Sequence, residues 1–236
     1  MSDSDLAERV RDGDRRSLAR LITAIEAGDP IAEAAVTSLI DSTAPTRRVG
    51  ITGPPGAGKS TLVNAVVGEL RSKGDTVAVL AVDPSSPISG GALLGDRIRM
   101  QGHAGDQGVY VRSMASRGHL GGLSDAAAPA IAVLARAGFD MVLIETVGVG
   151  QSELEVMDHV DLVVLVLGPG WGDQIQADKA GIVEIADVFV VNKGDRPGVD
   201  IVHLALLDRL GGSAAPVLIT TALTGEGVSD LVEVIR

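Results

Sequence analysis

The fold of this chain is decided by a Gly-rich run that stands between a predicted strand and a predicted helix, Gly53-Pro54-Pro55-Gly56-Ala57-Gly58-Lys59-Ser60-Thr61. The strand is the segment RVGIT, and the helix is predicted over 60–72. Glycines let a backbone wrap around an anion with successive N–H groups pointing inward, and the helix directs its positive N-terminal end at the same anion. The spacing GxxxxGK[ST] in this setting predicts a loop that binds the phosphates of a nucleotide. Lys59 is then expected to bridge β- and γ-phosphate oxygens, and the Ser60 hydroxyl to ligate Mg²⁺.

Short apolar runs alternate with helical patterns from Val49 onward. The predicted strands are RVGIT, TVAVLAVD, GVYVRSM, FDMVLIET, DLVVLVLG, VFVVNK and PVLITT, and the predicted helices span 60–72, 123–137, 151–158, 173–185, 199–210 and 227–235. Such unbroken apolar strands are buried on both faces, which indicates a mostly parallel sheet flanked by helices. The pattern therefore predicts an α/β fold of three layers, the P-loop NTPase fold. Two or three short amphipathic helices are expected before it, so we divide the chain into an N-terminal helical extension, 1–46, and a nucleotide-binding domain, 47–236.

A second motif, Asn192-Lys193-Gly194-Asp195, closes the predicted strand VFVVNK. A carboxylate at this place can accept both N1–H and N2–H₂ of guanine in a bidentate pair, and adenine offers no such pair of donors. The motif therefore predicts that the nucleotide is GTP or GDP. A backbone N–H from the segment Thr221-Ala222-Leu223, at the end of PVLITT, is expected to reach guanine O6. A strand-to-helix loop with a purely structural role could have the same sequence, so that alternative stays open.

Several carboxylates follow predicted strands at the edge where the phosphate loop lies. Glu145 is the next-to-last residue of FDMVLIET, and Gly148 comes three residues later, the spacing of a motif whose glycine N–H meets the γ-phosphate. Asp83 ends TVAVLAVD, and Asp96 lies in LLGDRIRM. We expect Asp83 and Asp96 to bind Mg²⁺ or its waters, because this ion takes only one or two carboxylates beside the phosphates. Val149 stands where other GTPases carry a water-orienting glutamine, so slow intrinsic hydrolysis is predicted.

The composition excludes several classes of function. The 236 residues are 45% hydrophobic and carry a formal net charge of −11, which disfavours nucleic acid as a partner. The sequence contains no cysteine, which removes thiolate metal sites and fits a reducing compartment. We see neither a signal sequence nor an apolar run of the roughly 18–20 residues that a spanning helix needs. A cytoplasmic protein without membrane contact is therefore expected.

With these motifs in hand, the chain resembles the methylmalonyl-CoA mutase-associated GTPases of the MeaB or ArgK type. The resemblance rests on GITGPPGAGKSTL, AVDPSSPISGGALLGDRIRM, RSMASRGHLGG, GFDMVLIETVGVGQSE and GIVEIADVFVVNKGD. It implies a G-protein chaperone that docks on an adenosylcobalamin-dependent acyl-CoA mutase, gates loading of the cofactor and protects the mutase. It also implies that Asp83, Asp96 and Glu145 are the carboxylates that bind Mg²⁺ and take part in catalysis, where Asp96 and Glu145 act with Lys59. Asp173 and Lys179 would belong to a third, mobile switch loop, with Lys179 among the catalytic residues.

Three questions stay open at this point. The resembling family carries a C-terminal helical arm used for dimerisation, whereas this sequence ends at Arg236, so a homodimer is left undecided. A metallochaperone GTPase for nickel enzymes would share the fold, but the four histidines are scattered and no cysteine joins them. A nucleotide-dependent kinase is the other alternative, which the absence of a recognisable acceptor-activating Asp disfavours.

Overall fold

Runs of apolar, mostly β-branched side chains form the strands of this chain. A computed structural model describes residues 3–40, 46–84, 101–103, 105–116, 124–146, 148, 155–172 and 183–236. The strands within these ranges are β1 (Arg47–Thr52), β2 (Val77–Pro84), β3 (Val109–Ser116), β4 (Met141–Thr146), β5 (Leu162–Leu167), β6 (Val188–Asn192) and β7 (Val217–Thr220). They pair in parallel in the order β3-β2-β4-β1-β5-β6-β7. Every residue of β4, β5 and β6 is buried, as expected for a sheet covered on both faces.

Helices cover both faces of this sheet. They are α1 (Asp3–Arg11), α2 (Arg15–Ala27), α3 (Pro30–Ile40), α4 (Lys59–Ser72), α5 (Ser124–Leu134), α6 (Val199–Leu210) and α7 (Val228–Ile235), with a short 3₁₀ turn at Gln101–His103. Helices α4 and α7 pack on one face. Helices α1, α2, α3 and α5 pack on the other face, and α6 covers β5 and β6 beside them. The predicted three-layer α/β fold with a parallel sheet is confirmed.

The N-terminal helices share a core with the sheet. Asp14 caps α2 by accepting hydrogen bonds from the backbone N–H groups of Arg16 and Ser17 at 2.9 and 3.0 Å. The apolar face of α2 packs into the same cluster as side chains of β2, β4 and α5. A largely buried ion pair between Glu26 and Arg112 also ties α2 to β3. These segments are helical as predicted, while the division at residue 46 stays a prediction.

The predicted segments agree with the structure except at the end of the helix predicted over 173–185. All seven predicted strands are present, and the helices predicted over 60–72, 123–137, 199–210 and 227–235 correspond to α4, α5, α6 and α7. Of the helix predicted over 151–158, residues 155–157 are helical and residues 151–154 lie outside the described residues. The helix predicted over 173–185 is wrong at residues 183–185, which form a turn before β6, and its earlier part lies outside the described residues.

An ion pair fixes the two strand starts that lie opposite the phosphate loop. The Asp161 carboxylate accepts hydrogen bonds from the backbone N–H of Arg48 at 2.8 Å and from its Nε at 3.0 Å. The Asp161 N–H donates in turn to the Arg48 carbonyl at 2.8 Å. The Arg48 side chain holds the pKa of the Asp161 carboxyl below its usual value. The start of β1 is thereby joined to the residue that precedes β5.

Replacing Asp161 by Asn should lower the free energy of unfolding at neutral pH by about 0.5–1 kcal/mol, since the pair is part-exposed and screened. Because the folded-state pKa is depressed, the stabilisation is present above the unfolded-state pKa and is lost as the pH falls through the folded-state pKa. The difference between the two proteins in urea unfolding should therefore begin to shrink as the pH falls below about 3.9, and it should vanish only below the depressed folded-state pKa. The exposed Asp158→Asn variant is the control, and a pH-independent difference would contradict the role of the ion pair.

Candidate functional site

The phosphate loop lies against the ends of neighbouring strands. It joins β1, in the centre of the sheet, to α4, and Gly53 and Gly58 hold positive φ angles of 143° and 96°. A Cβ at Gly53 would lie 2.0 Å from the Val166 carbonyl oxygen, and one at Gly58 would lie 2.4 Å from the Asn192 Nδ2. Glycine is therefore required at both positions by conformation and by space. Pro55 and Gly56, at the tip of the loop, are exposed.

The Lys59 side chain lies within the loop that precedes it. Lys59 is buried, and its Nζ donates hydrogen bonds to the carbonyls of Gly53 at 2.7 Å and Pro54 at 3.1 Å. Gly58, which precedes the first turn of α4, has no side chain with which to cap the first N–H groups of the helix. Ser60 and the half-buried Thr61 follow in that turn. An ammonium group and an uncapped helix N-terminus therefore meet in one cradle, an arrangement suited to an anion.

Ser60 meets Glu145 beside this cradle. The Ser60 Oγ and the Glu145 Oε1 are 2.6 Å apart, and both residues are buried. The contact forms because Glu145 pairs with Ile51 in the register of β4 and β1, two positions before the loop. A hydroxyl and a carboxylate are hard oxygen donors, and Mg²⁺ needs only one or two of them when phosphate oxygens complete its coordination. The donor set therefore fits this ion.

The Asn192 side chain joins the phosphate loop to the end of β7. Its Nδ2 donates to the carbonyl of Ala57 at 3.0 Å and lies 3.4 Å from that of Gly58. Its Oδ1 accepts hydrogen bonds from the Thr220 hydroxyl and the Ala222 N–H, both at 3.1 Å. Because Asn192 is buried, these bonds face little competition from water. The carboxamide therefore sets the distance between the loop and the strand pair β6–β7.

The other residues of the motif Asn192-Lys193-Gly194-Asp195 also lie between the phosphate loop and the end of β7. Lys193 has a positive φ of 64°, and its Nζ donates to the Gly56 carbonyl at 2.6 Å. The Gly194 N–H donates to the Thr220 carbonyl at 2.9 Å, and Asp195 next to it is exposed. The Asp195 carboxylate is thus accessible to a base at the same edge of the sheet as the phosphate loop.

In the segment Thr221-Ala222-Leu223, two backbone N–H groups make hydrogen bonds within the protein and the third residue is exposed. The Ala222 N–H is engaged by Asn192, and the Thr221 N–H donates to the Glu226 carbonyl at 2.9 Å. Leu223 is 83% exposed. The structure therefore leaves the Leu223 N–H as the one backbone donor of this segment that no described hydrogen bond occupies. Contact of this segment with guanine stays a prediction.

Some predicted residues lie outside the described part of the chain. Asp96, Asp173 and Lys179 are outside it, so the structure does not test their roles. The backbone of Asp83 lies at the end of β2, beside Ala115 of β3, but its side chain is not described. The catalytic, metal and switch roles of these four residues stay predictions.

Two buried residues near the loop were missed by the sequence reasoning. The Thr52 Oγ1 donates to the Gly148 carbonyl at 3.1 Å, and the Thr146 Oγ1 donates to the Thr52 Oγ1 at 3.1 Å. Threonine is common at the ends of apolar strands, so its presence there does not indicate a function. The sequence offered only the position of Thr52 before Gly53 and of Thr146 after Glu145 as a sign. The contact itself requires knowledge that β1 and β4 are neighbours.

A buried lysine at the start of a helix, a Gly-rich loop and a carboxylate from the neighbouring strand define the class of P-loop nucleoside triphosphate-binding proteins. The sequence profile described as "Methylmalonyl Co-A mutase-associated GTPase MeaB" matches residues 18–236, and the chain belongs to this family. It is a GTPase and binds guanine nucleotides.

Relatives and a solved structure agree with this membership. A protein of Pyrococcus horikoshii named as a GTPase is 49% identical over 241 residues, covering 98% of this chain and 76% of that protein. GTPase ArgK of Escherichia coli is 42% identical, covering 92% of this chain and 67% of that protein. The mouse mitochondrial methylmalonic aciduria type A homolog is 43% identical, covering 81% of this chain and 48% of that protein. The crystal structure of an LAO/AO transport system kinase superposes with a TM-score of 0.78 at 30% identity, covering 99% of this chain and 73% of that one.

Among the residues that the structure describes, no group of three or more His, Asp or Glu side chains is placed to hold a metal ion. No helix in the described ranges has both the length and the apolar character needed to cross a membrane.

Replacing Asn192 by Ala should separate the loop from β7 and weaken guanine-nucleotide binding by about tenfold. It should also lower the free energy of unfolding by about 1–3 kcal/mol, because the Ala222 N–H and the Ala57 carbonyl lose a buried partner. Calorimetric titration with GDP and urea unfolding measure the two effects. Asn64→Ala in α4 is the matched control, since the Asn64 Oδ1 makes no hydrogen bond with any residue that the structure describes. Equal behaviour of the two variants would contradict the bridging role.

Proposed function

We propose that this GTPase acts as a Mg²⁺-dependent chaperone for an adenosylcobalamin-dependent acyl-CoA mutase, either methylmalonyl-CoA mutase or a close relative. It would gate loading of the cofactor and protect the mutase. The observation that carries the proposal is the match of residues 18–236 to a family described by its association with methylmalonyl-CoA mutase. The name of the mouse relative, which refers to methylmalonic aciduria, supports the same partner.

The phosphate loop would bind the triphosphate through its backbone. The N–H groups from Gly53 to Thr61 that face the cradle would donate to phosphate oxygens, aided by the N-terminus of α4. Lys59 would exchange its bonds to the carbonyls of Gly53 and Pro54 for β- and γ-phosphate oxygens, which supports charge stabilisation in the transition state. Its position 2.7 Å from the Gly53 carbonyl keeps the ammonium group inside the cradle before the nucleotide enters.

Ser60 and Glu145 would hold the metal side of the site. Bound Mg²⁺ would neutralise charge that develops on the β- and γ-phosphate oxygens. The Ser60 hydroxyl and the Glu145 carboxylate, whose oxygens are 2.6 Å apart, would ligate the ion directly or through a bound water. Asp83 and Asp96 are proposed as further carboxylates on this side by the resemblance.

Guanine would be read beyond β6. The exposed Asp195 carboxylate would accept from the N1–H and the exocyclic amine of the base, and the aliphatic part of Lys193 would flank the base plane. The Leu223 N–H would donate to O6, because the neighbouring N–H groups are already engaged within the protein.

The γ-phosphate would be sensed through Gly148, whose N–H would donate to it. The resemblance adds Asp173 and Lys179 as residues of a second responsive loop. Hydrolysis would be slow without a partner, because Val149 follows Gly148 in place of a water-orienting glutamine. A nucleotide-dependent change at these loops is what a mutase would detect. A cytoplasmic location and homodimerisation stay predictions.

Replacing Asp195 by Asn should weaken GTP binding by about 100-fold, since two charge-assisted hydrogen bonds are lost. The same change should improve binding of xanthosine triphosphate, because the amide can donate where xanthine presents an oxygen. Competition binding with GTP, XTP and ATP measures the preference. Asp200→Asn, an exposed carboxylate at the start of α6, is the control. A GTP-over-XTP preference left unchanged in Asp195→Asn would remove Asp195 from base recognition.

Phosphate release from GTP and from ATP, with and without an adenosylcobalamin-dependent acyl-CoA mutase from the same source, tests the partner. We expect slow, GTP-selective turnover that rises when the mutase is added. Transfer of adenosylcobalamin to the apo-mutase, followed by cofactor absorbance, should differ between GTP and a non-hydrolysable analogue. Lys59→Ala, expected to be inactive, controls for contaminating phosphatases. Turnover and loading that ignore every such mutase would contradict the chaperone role and leave the GTPase activity intact.

A further inference from the structure

Two threonines without solvent exposure lie at the ends of the central strands. Thr52 ends β1, Thr146 ends β4, and both are 0% exposed. The preceding residues of these parallel neighbours, Ile51 and Glu145, are paired in register. The two hydroxyls are consequently side by side, 3.1 Å apart, and the Gly148 carbonyl lies 3.1 Å from the Thr52 Oγ1.

The donors and acceptors of this group form a directed chain. A threonine hydroxyl has one proton to donate and two lone pairs that accept. The Thr146 hydroxyl donates to Thr52, and the Thr52 hydroxyl donates to the Gly148 carbonyl. The longer distance of 3.5 Å from the Thr146 Oγ1 to the same carbonyl makes Thr52 the principal partner of Gly148. Because the hydroxyls are buried, breaking either bond would leave a polar group away from water.

The end of β4 directs neighbouring side chains to opposite faces of the sheet. Alternation along a strand sends Glu145 to the face covered by α4, where it meets Ser60, and Thr146 to the other face. The two faces thus serve different parts of the nucleotide site. Glu145 faces the metal side, and Thr146 with Thr52 holds the backbone two residues beyond Thr146.

We propose that Thr52 and Thr146 are positioning residues that raise the affinity of this protein for GTP relative to GDP by holding Gly148 at the end of the strand that leads into the phosphate loop. The proposal rests on the proposed function, in which the Gly148 N–H meets the γ-phosphate. Thr52 immediately precedes Gly53, so the same residue that anchors Gly148 also begins the loop that binds the β-phosphate. The Thr52 hydroxyl therefore links the start of the phosphate loop directly to Gly148. GDP lacks the phosphate that Gly148 would contact, so the affinity for GDP should not depend on the Thr52–Gly148 hydrogen bond.

The test compares affinities for GDP and for a non-hydrolysable GTP analogue in four variants. Thr52→Val and Thr146→Val remove one hydroxyl each and keep a β-branched side chain suited to a strand. Thr52→Ser keeps the hydroxyl. Thr46→Val is the matched control, because the Thr46 hydroxyl also donates to a backbone carbonyl, that of Phe139 at 2.7 Å, ahead of the first residue of β1 and away from the phosphate loop.

Thr52→Val should weaken binding of the GTP analogue about fivefold, the value of one net hydrogen bond, with GDP affinity changed less than about twofold. Thr146→Val should show the same selective loss to a smaller degree, and it carries the test if Thr52→Val fails to fold. Thr52→Ser should bind both nucleotides like the parent protein, and Thr46→Val should lose stability without a change in the ratio of affinities.

Equal losses for GDP and the analogue in both valine variants, or no loss in either, would overturn the inference. A serine variant that behaves like Thr52→Val would also overturn it, because the effect would then not come from the hydroxyl. These outcomes are distinct from failure of the proposed function. That failure would appear in the parent protein itself, as an absence of preference for GTP over ATP or of any response to the mutase.

Discussion

The nucleotide site depends on how closely the loop at 53–58 approaches the ends of β5 and β6. A Cβ at Gly53 would strike the Val166 carbonyl, and a Cβ at Gly58 would strike the Asn192 carboxamide. The atom that a side chain at position 53 would meet belongs to the backbone of β5, which cannot rotate away as a flexible side chain can. A substitution of Gly53 would therefore have to displace the loop or the strand. The direction of α4, and with it the places of Lys59 and Ser60, follows from this contact.

Hydrogen bonds from the ends of β6 and β4 then hold the loop and the first turn of α4 in place. Asn192 at the end of β6 binds the Ala57 carbonyl and two groups near β7, while Glu145 at the end of β4 binds Ser60. The Thr146 side chain lies on the opposite face of β4. Its hydroxyl donates to the Thr52 hydroxyl, which in turn donates to the Gly148 carbonyl. A shift of β4 by one residue would exchange the faces of its side chains, so the register of the central strands is also a requirement of the site.

The N-terminal helices α1, α2 and α3 belong to the same hydrophobic core as the sheet. Their apolar residues cover the face of β2 and β4 that α4 does not cover, where fully burying one Leu or Val contributes about 1.5–3 kcal/mol. The Glu26–Arg112 pair adds a polar tie to the edge strand β3. A sheet with buried strands needs both layers, so these helices complete the core on which the nucleotide-binding edge rests.

Local signals in the sequence determined the strands, most helices, the phosphate loop and the guanine motif, because each depends on residues close together in the chain. The apolar runs, the spacing of Gly53, Gly58 and Lys59, and the motif that ends in Asp195 are all of this kind. Only the tertiary structure decided that Thr52 lies beside Thr146 and that Asn192 occupies the Ala222 N–H. Those contacts depend on which strands are neighbours, and the order β4-β1-β5 joins segments far apart in sequence through packing that no short window contains.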